Sequence, residues 1–76
     1  MPHVIVKLYS GRSEQQKALL ADAVTCAVTD TLKLGEESVS VAIEDVKPKD
    51  WAERVFGPDI LGKPETIYKK PGYDPL

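Results

Sequence analysis

This chain has little of what most often carries function. Its 76 residues include one cysteine, one histidine, one tryptophan, one phenylalanine and one methionine. A lone cysteine, Cys26, excludes an internal disulfide, and a lone histidine leaves no Cys/His cluster at metal-ligand spacing. No metal or other cofactor is expected. Cys26 reads as a small buried apolar helix residue in a chain kept in a reducing compartment. There is no surplus of positive charge either. Ten Lys and Arg face twelve Asp and Glu, a net charge of −2, which argues against a nucleic-acid partner. Lys69-Lys70 reads as a solvated basic pair rather than a phosphate site. No apolar run approaches the roughly 18 residues of a membrane helix. The amino terminus lacks the charged and apolar regions of a secretory signal. A cytoplasmic protein without a membrane partner is expected. Internal repeats and low-complexity stretches are absent as well.

A chain this short buries only roughly 60% of its unfolded surface, so its own core is marginal. With neither disulfide nor metal to help, oligomerisation is the expected remedy.

Residues 2–9 alternate, with Val4, Val6 and Leu8 on one face and His3, Ile5, Lys7 and Tyr9 on the other, which predicts a strand. Ser10-Gly11-Arg12 is a turn. Ser13 with Gln16 three residues later fits a capping box and opens a helix over about 14–32. Its expected apolar stripe is Leu20, Ala23, Val24, Ala27, Val28 and Leu32, and Gly35 is the expected stop. Residues 38–44 predict a second strand with Val39, Val41 and Ile43 on one face. The fold class is therefore α/β: a β-α-β unit of two parallel strands and one long right-handed crossover helix. One helix covers one face of such a sheet. The other face, with Ile5 and Ala42, and both strand edges are left for a neighbouring subunit.

Beyond Val46 the periodicity stops. Pro48, Pro58, Pro64, Pro71 and Pro75 punctuate the rest, with Gly57, Gly62 and Gly72 among them. A short helical turn over 50–56, then loops, short strands or an arm packing on a neighbour, is expected. Trp51, Phe56 and Tyr68 make the segment too apolar for a disordered tail. The organisation is one domain over 1–76, with a core over 2–46 and a carboxy-terminal arm over 47–76.

Pro2 is the candidate for the chemistry, although a Met-Pro start on its own reads as no more than a tolerated first strand residue. Removal of Met1 from a Met-Pro start leaves a secondary amine at the beginning of a strand. An α-amino group ordinarily titrates near 7.7–8.0, and an apolar pocket or nearby cations lower that value. A neutral amine on a rigid ring is a general base at neutral pH. Retention of Met1 would lock the same nitrogen in an amide. Glu44 and Asp45 form no catalytic pair, because neighbours on a strand point to opposite faces.

Pro2 at the strand start, Gly11-Arg12-Ser13 opening the helix, Gln16-Lys17, Ser38-Val39-Ser40-Val41 and Trp51 form an ordered set. In this set the chain resembles the 4-oxalocrotonate tautomerase family over roughly residues 2–51. Met1-Pro2-His3, Trp51 and the closing Lys69-Lys70-Pro71-Gly72-Tyr73 are similar to its longer bacterial, phenylpyruvate-type (PptA-like) subgroup. The resemblance implies a sheet shared between subunits in a hexamer or, for the longer subgroup, a dimer, which the tail here favours. It implies that Pro2 shuttles the proton, Arg12 binds a substrate carboxylate and Trp51 makes the pocket apolar. Where the hexameric type has a second arginine, this chain has Ser40. A neutral hydrogen bond is worth about 1 kcal/mol against about 1.5–3 for a charged one. That disfavours dicarboxylates and favours an aromatic 2-keto monoacid such as phenylpyruvate, its ring flanked by Trp51.

The expected function is cofactor-independent keto–enol tautomerisation of a small 2-keto/enol acid. Two alternatives stay open: a hydratase or decarboxylase working through a protonated Pro2, and a non-catalytic oligomeric binding module. Ser40 also reads as a passive sheet residue, and Trp51 as an interface or core residue. His3 reads as structural, and the roles of Tyr9 and Tyr73 are undecided.

Overall fold

The alternation at the amino terminus becomes β1, His3–Tyr9, in a computed structural model that describes residues Met1–Asp74. Pro75, the last proline expected to punctuate the arm, lies with Leu76 outside the described residues. The helix α1, Glu14–Leu32, follows, and then β2, Ser40–Val46. The strands pair in parallel, His3 opposite Ser40 through Tyr9 opposite Val46. Val4, Val6 and Leu8 thus share a face with Val41, Ile43 and Asp45, while Ile5 and Ala42 lie on the other, as expected.

β2 begins and ends two residues later than predicted. Ser38 belongs instead to a 3₁₀ turn, Glu36–Ser38, where both its amide and its hydroxyl donate to the Gly35 carbonyl. Such local side-chain bonds compete with a strand ladder. At the other end Val46 pairs with Tyr9, and its carbonyl accepts from the Ser10 amide at 3.0 Å, which carries the strand onward.

α1 opens with the predicted capping box. The Gln16 amide donates to Ser13 Oγ at 3.1 Å, and the Ser13 amide donates to Gln16 Oε1 at 3.3 Å. The helix buries a rotated stripe, however. Lys17, Ala21, Val24, Thr25, Val28 and Thr29 are half-buried, whereas Leu20, Ala23, Ala27 and Leu32 of the expected stripe are exposed, and so is Cys26, which was expected to be buried. Thr25 and Thr29 satisfy their hydroxyls on the carbonyls of Ala21 and Cys26, so their methyl groups count as apolar surface. Lys17 ties α1 to β2, reaching Asp45 and Glu14 at 3.0 Å each. Those carboxylates, Glu14 foremost, raise its ammonium pKa above the usual lysine value. The helix stops at Lys33, which adopts the left-handed conformation (φ 59°) expected of Gly35.

The arm packs on its own chain rather than leaving the second sheet face wholly to a neighbour. A 3₁₀ turn, Pro48–Asp50, leads into a π-helical segment, Ala52–Leu61, longer than the predicted turn. Pro58 sits inside it. In an α-helix the proline ring would meet the carbonyl four residues back, and the wider π register relieves that contact. Lys7 pairs with Asp59 at 2.5 Å, and Tyr9 meets Trp51 edge to face with ring centroids 5.1 Å apart. Beneath them Val46, Val55 and Phe56 are buried.

That core is small. Ile5, Leu19, Leu32 and Leu61 are all more than half exposed. The accessible surface is 5848 Å², against about 4,600 Å² for a compact monomer of this mass. The sheet has two strands, each pairing on one side only. A partner is needed to cover what the chain leaves open.

Candidate active site

The four residues singled out in the sequence fall into two pairs at opposite ends of the sheet. Pro2 and Ser40 form the first. The Ser40 amide donates to the Pro2 carbonyl at 3.2 Å, fixing the backbone of the amino-terminal residue against the start of β2. Ser40 Oγ and His3 Nδ1 lie 2.6 Å apart in a hydrogen bond whose donor depends on the imidazole tautomer. Ser40 is therefore engaged by its neighbour on the ladder, as the register His3–Ser40 dictates. Met1 stands fully exposed ahead of this pair.

Arg12 and Trp51 form the second pair. Both line a cleft of about 420 Å³ at the far end of β1, together with Lys7, Leu8, Tyr9 and Tyr73. The size is within the usual range for small-molecule sites. Gly11, at φ +118°, makes the turn that delivers Arg12 to this end of the sheet. Proline at the head of the turn Pro48–Asp50 and the reversal that follows bring Trp51 back over Tyr9. Trp51 Nε1 donates to Tyr73 Oη at 3.1 Å, and Tyr73 packs on Phe56 with ring centroids 5.7 Å apart. The cleft wall thus holds three aromatic rings and two basic side chains, of which Lys7 is already paired with Asp59, so that Arg12 is the basic group not engaged by that carboxylate.

Sequence reasoning missed Lys7, although it shares a strand face with Tyr9 and so had a readable signal. Tyr73 was undecided because only the folded arm brings it back to Trp51. Among the described residues no group of His, Cys, Asp or Glu is arranged to hold a metal. None of their helices is long and apolar enough to cross a membrane.

One chain does not unite the two pairs. From Pro2 to Ser10 the strand advances roughly 26 Å at about 3.3 Å per residue. That span exceeds the reach of an arginine side chain.

Comparison with known proteins agrees with this architecture. Residues 2–56 match the family model described as tautomerase enzyme. The chain is 47% identical over 76 residues to a probable tautomerase of Xylella fastidiosa (strain 9a5c), covering 100% of this chain and 93% of that relative. It is 37% identical over 75 residues to tautomerase PptA of Cronobacter sakazakii, covering 97% and 99% of the two chains. The crystal structure of TomN, a 4-oxalocrotonate tautomerase homologue in the tomaymycin biosynthetic pathway, superposes with a TM-score of 0.65 at 34% identity. That match covers 86% of this chain and 97% of TomN. With a two-strand parallel sheet backed by one long helix, and with matches that run nearly end to end, the chain belongs to the 4-oxalocrotonate tautomerase family of enzymes, which interconvert keto and enol forms.

Proposed function

We propose that the reaction is the cofactor-independent tautomerisation of an aromatic 2-keto/enol monocarboxylate, with phenylpyruvate as the test substrate and Pro2, freed of Met1, as base and then acid. The observation that carries this reading is the wall of the Arg12–Trp51 cleft, where the Arg12 guanidinium stands among the rings of Tyr9, Trp51 and Tyr73 while Lys7 is taken up by Asp59. Arg12 grips the substrate carboxylate in bidentate fashion. Trp51 and Tyr9 flank the ring and exclude water, which strengthens the charged contacts. The Pro2 nitrogen takes the enol hydroxyl proton, the C–O bond becomes a carbonyl, and the same nitrogen returns a proton to the adjacent carbon. One amine titrating near the working pH serves both steps. Ser40, held beside Pro2, supplies a neutral hydroxyl where a second arginine would favour a dicarboxylate.

Because the two residue pairs lie at opposite ends of one sheet, the working site joins Pro2 of one subunit to the cleft of another. A homodimer with the open sheet edges facing each other satisfies this and pairs the strand edges that one chain leaves open. The single cysteine fits such an assembly in the cytoplasm.

The test is the ketonisation rate of enolic phenylpyruvate, followed by ultraviolet absorbance, on protein whose intact mass lacks Met1. Pro2→Ala is expected to lower kcat/KM by about 10²-fold or more, the usual worth of a positioned acid–base group. A rate no better than buffer, or one indifferent to the substitution, sinks the arylpyruvate assignment. It would turn attention to the hydratase, decarboxylase or binding-module reading.

A further inference from the structure

The contact between Trp51 and Tyr73 has a fixed polarity. An indole N–H donates and never accepts, so at 3.1 Å the Tyr73 oxygen receives that hydrogen on a lone pair. The phenol keeps its own O–H hydrogen, directed away from the indole. Tyr73 is 48% exposed and lines the same cleft as Arg12 and Lys7. Its ring is held from behind by Phe56, which is buried. The result is a phenolic donor on a braced ring, lining the same cleft as the Arg12 guanidinium.

We propose that Tyr73 is a substrate-binding residue whose O–H donates to the carboxylate of an aromatic acid lying between Arg12 and Trp51. This deepens the reading of the cleft as the carboxylate site and rests on it. Arg12 gives the charge, and Tyr73 a directional neutral bond at an angle the guanidinium does not cover. Accepting from Trp51 polarises the phenol and strengthens its own donation. The arm therefore supplies both a wall and a ligand to the site. Trp51 in turn has two tasks, flanking the ring and aiming the hydroxyl.

The test uses Tyr73→Phe, which keeps the ring against Phe56 and removes only the oxygen. It is made in the natural chain and in a Trp51→Phe chain. The readouts are KM and kcat for enolic phenylpyruvate, and the affinity of 3-phenylpropionate, a non-reacting aromatic acid, by titration calorimetry. With a single tryptophan in the chain, quenching of Trp51 fluorescence gives a second affinity in the natural background. The expected result is a KM and a dissociation constant raised about ten- to a hundredfold in the natural chain, the loss of one hydrogen bond to a charged group, and by a smaller factor of at least about twofold in the Trp51→Phe chain, where the hydroxyl is no longer aimed, with kcat within about twofold. An effect that vanishes in the Trp51→Phe background would mean the hydroxyl acts only on Trp51 and would overturn the proposal. So would an unchanged affinity in the natural chain, or a loss confined to kcat. If the tautomerase substrate is wrong, Pro2-dependent turnover fails while the 3-phenylpropionate titration still decides the role of Tyr73.

Discussion

At the scale of single residues the site depends on backbone as much as on side chains. Gly11 has φ +118°, a conformation that side-chain-bearing residues rarely adopt, and a Cβ there would meet no atom within 4 Å. Replacement by alanine therefore tests strain without a clash. Gly11→Ala is expected to cost about 1–3 kcal/mol of stability, and to raise KM more than it lowers kcat, because Arg12 is the next residue. Denaturant melts alongside steady-state kinetics check both halves. A melt that is unchanged would show that the turn relaxes freely. Ser40 is the residue-scale surprise. Its hydroxyl is paired with His3, and its amide holds the carbonyl of Pro2. Its backbone braces Pro2, and its hydroxyl is taken up by His3.

At the scale of elements the sequence was legible where one periodicity governs. Strand β1, the capping box and the parallel pairing followed from alternation, from Ser13 and Gln16, and from the length of the crossover. Three features escaped for physical reasons. The helix stripe was misplaced because Thr25 and Thr29 look polar in sequence yet satisfy their hydroxyls on their own helix. The arm was underestimated because Gly57 and Pro58 signal a stop in α-helical terms, whereas a π register accommodates them. The helix end fell on Lys33, ahead of the glycine that seemed made for it. Of the site, Pro2, Arg12 and Trp51 could be read in order, but the division into two distant pairs could not, since spacing along a chain says nothing of which end of a sheet each reaches. The helix end makes a clear prediction. Lys33→Gly removes the penalty of a left-handed non-glycine residue and is expected to stabilise the fold by up to about 1 kcal/mol. A thermal melt at fixed protein concentration should rise by a few degrees. A lower midpoint would show that Lys33 holds this conformation at no cost.

At the scale of the whole molecule the separation of Pro2 from Arg12 predicts complementation. Pro2→Ala and Arg12→Ala homo-oligomers should each be nearly inactive. Co-expressed, they form mixed assemblies in which a natural Pro2 meets a natural Arg12 at some interfaces. Activity near about a quarter of the natural level is expected for random dimers, since half the dimers are mixed and each has one intact site. Activity no greater than the sum of the parents would place both residues of a working site in one chain.

The ladder that holds the proline also sets an order of events during synthesis. Pro2 leaves the ribosome among the first residues, but the amide that donates to its carbonyl belongs to Ser40 and follows 38 positions later. At about 5–20 residues per second, that interval lasts roughly 2–8 s. Throughout it the amino terminus has no strand partner, and an aminopeptidase can reach Met1 before the sheet exists. The late second strand thus leaves time for removal of Met1, which the proposed use of the Pro2 nitrogen requires.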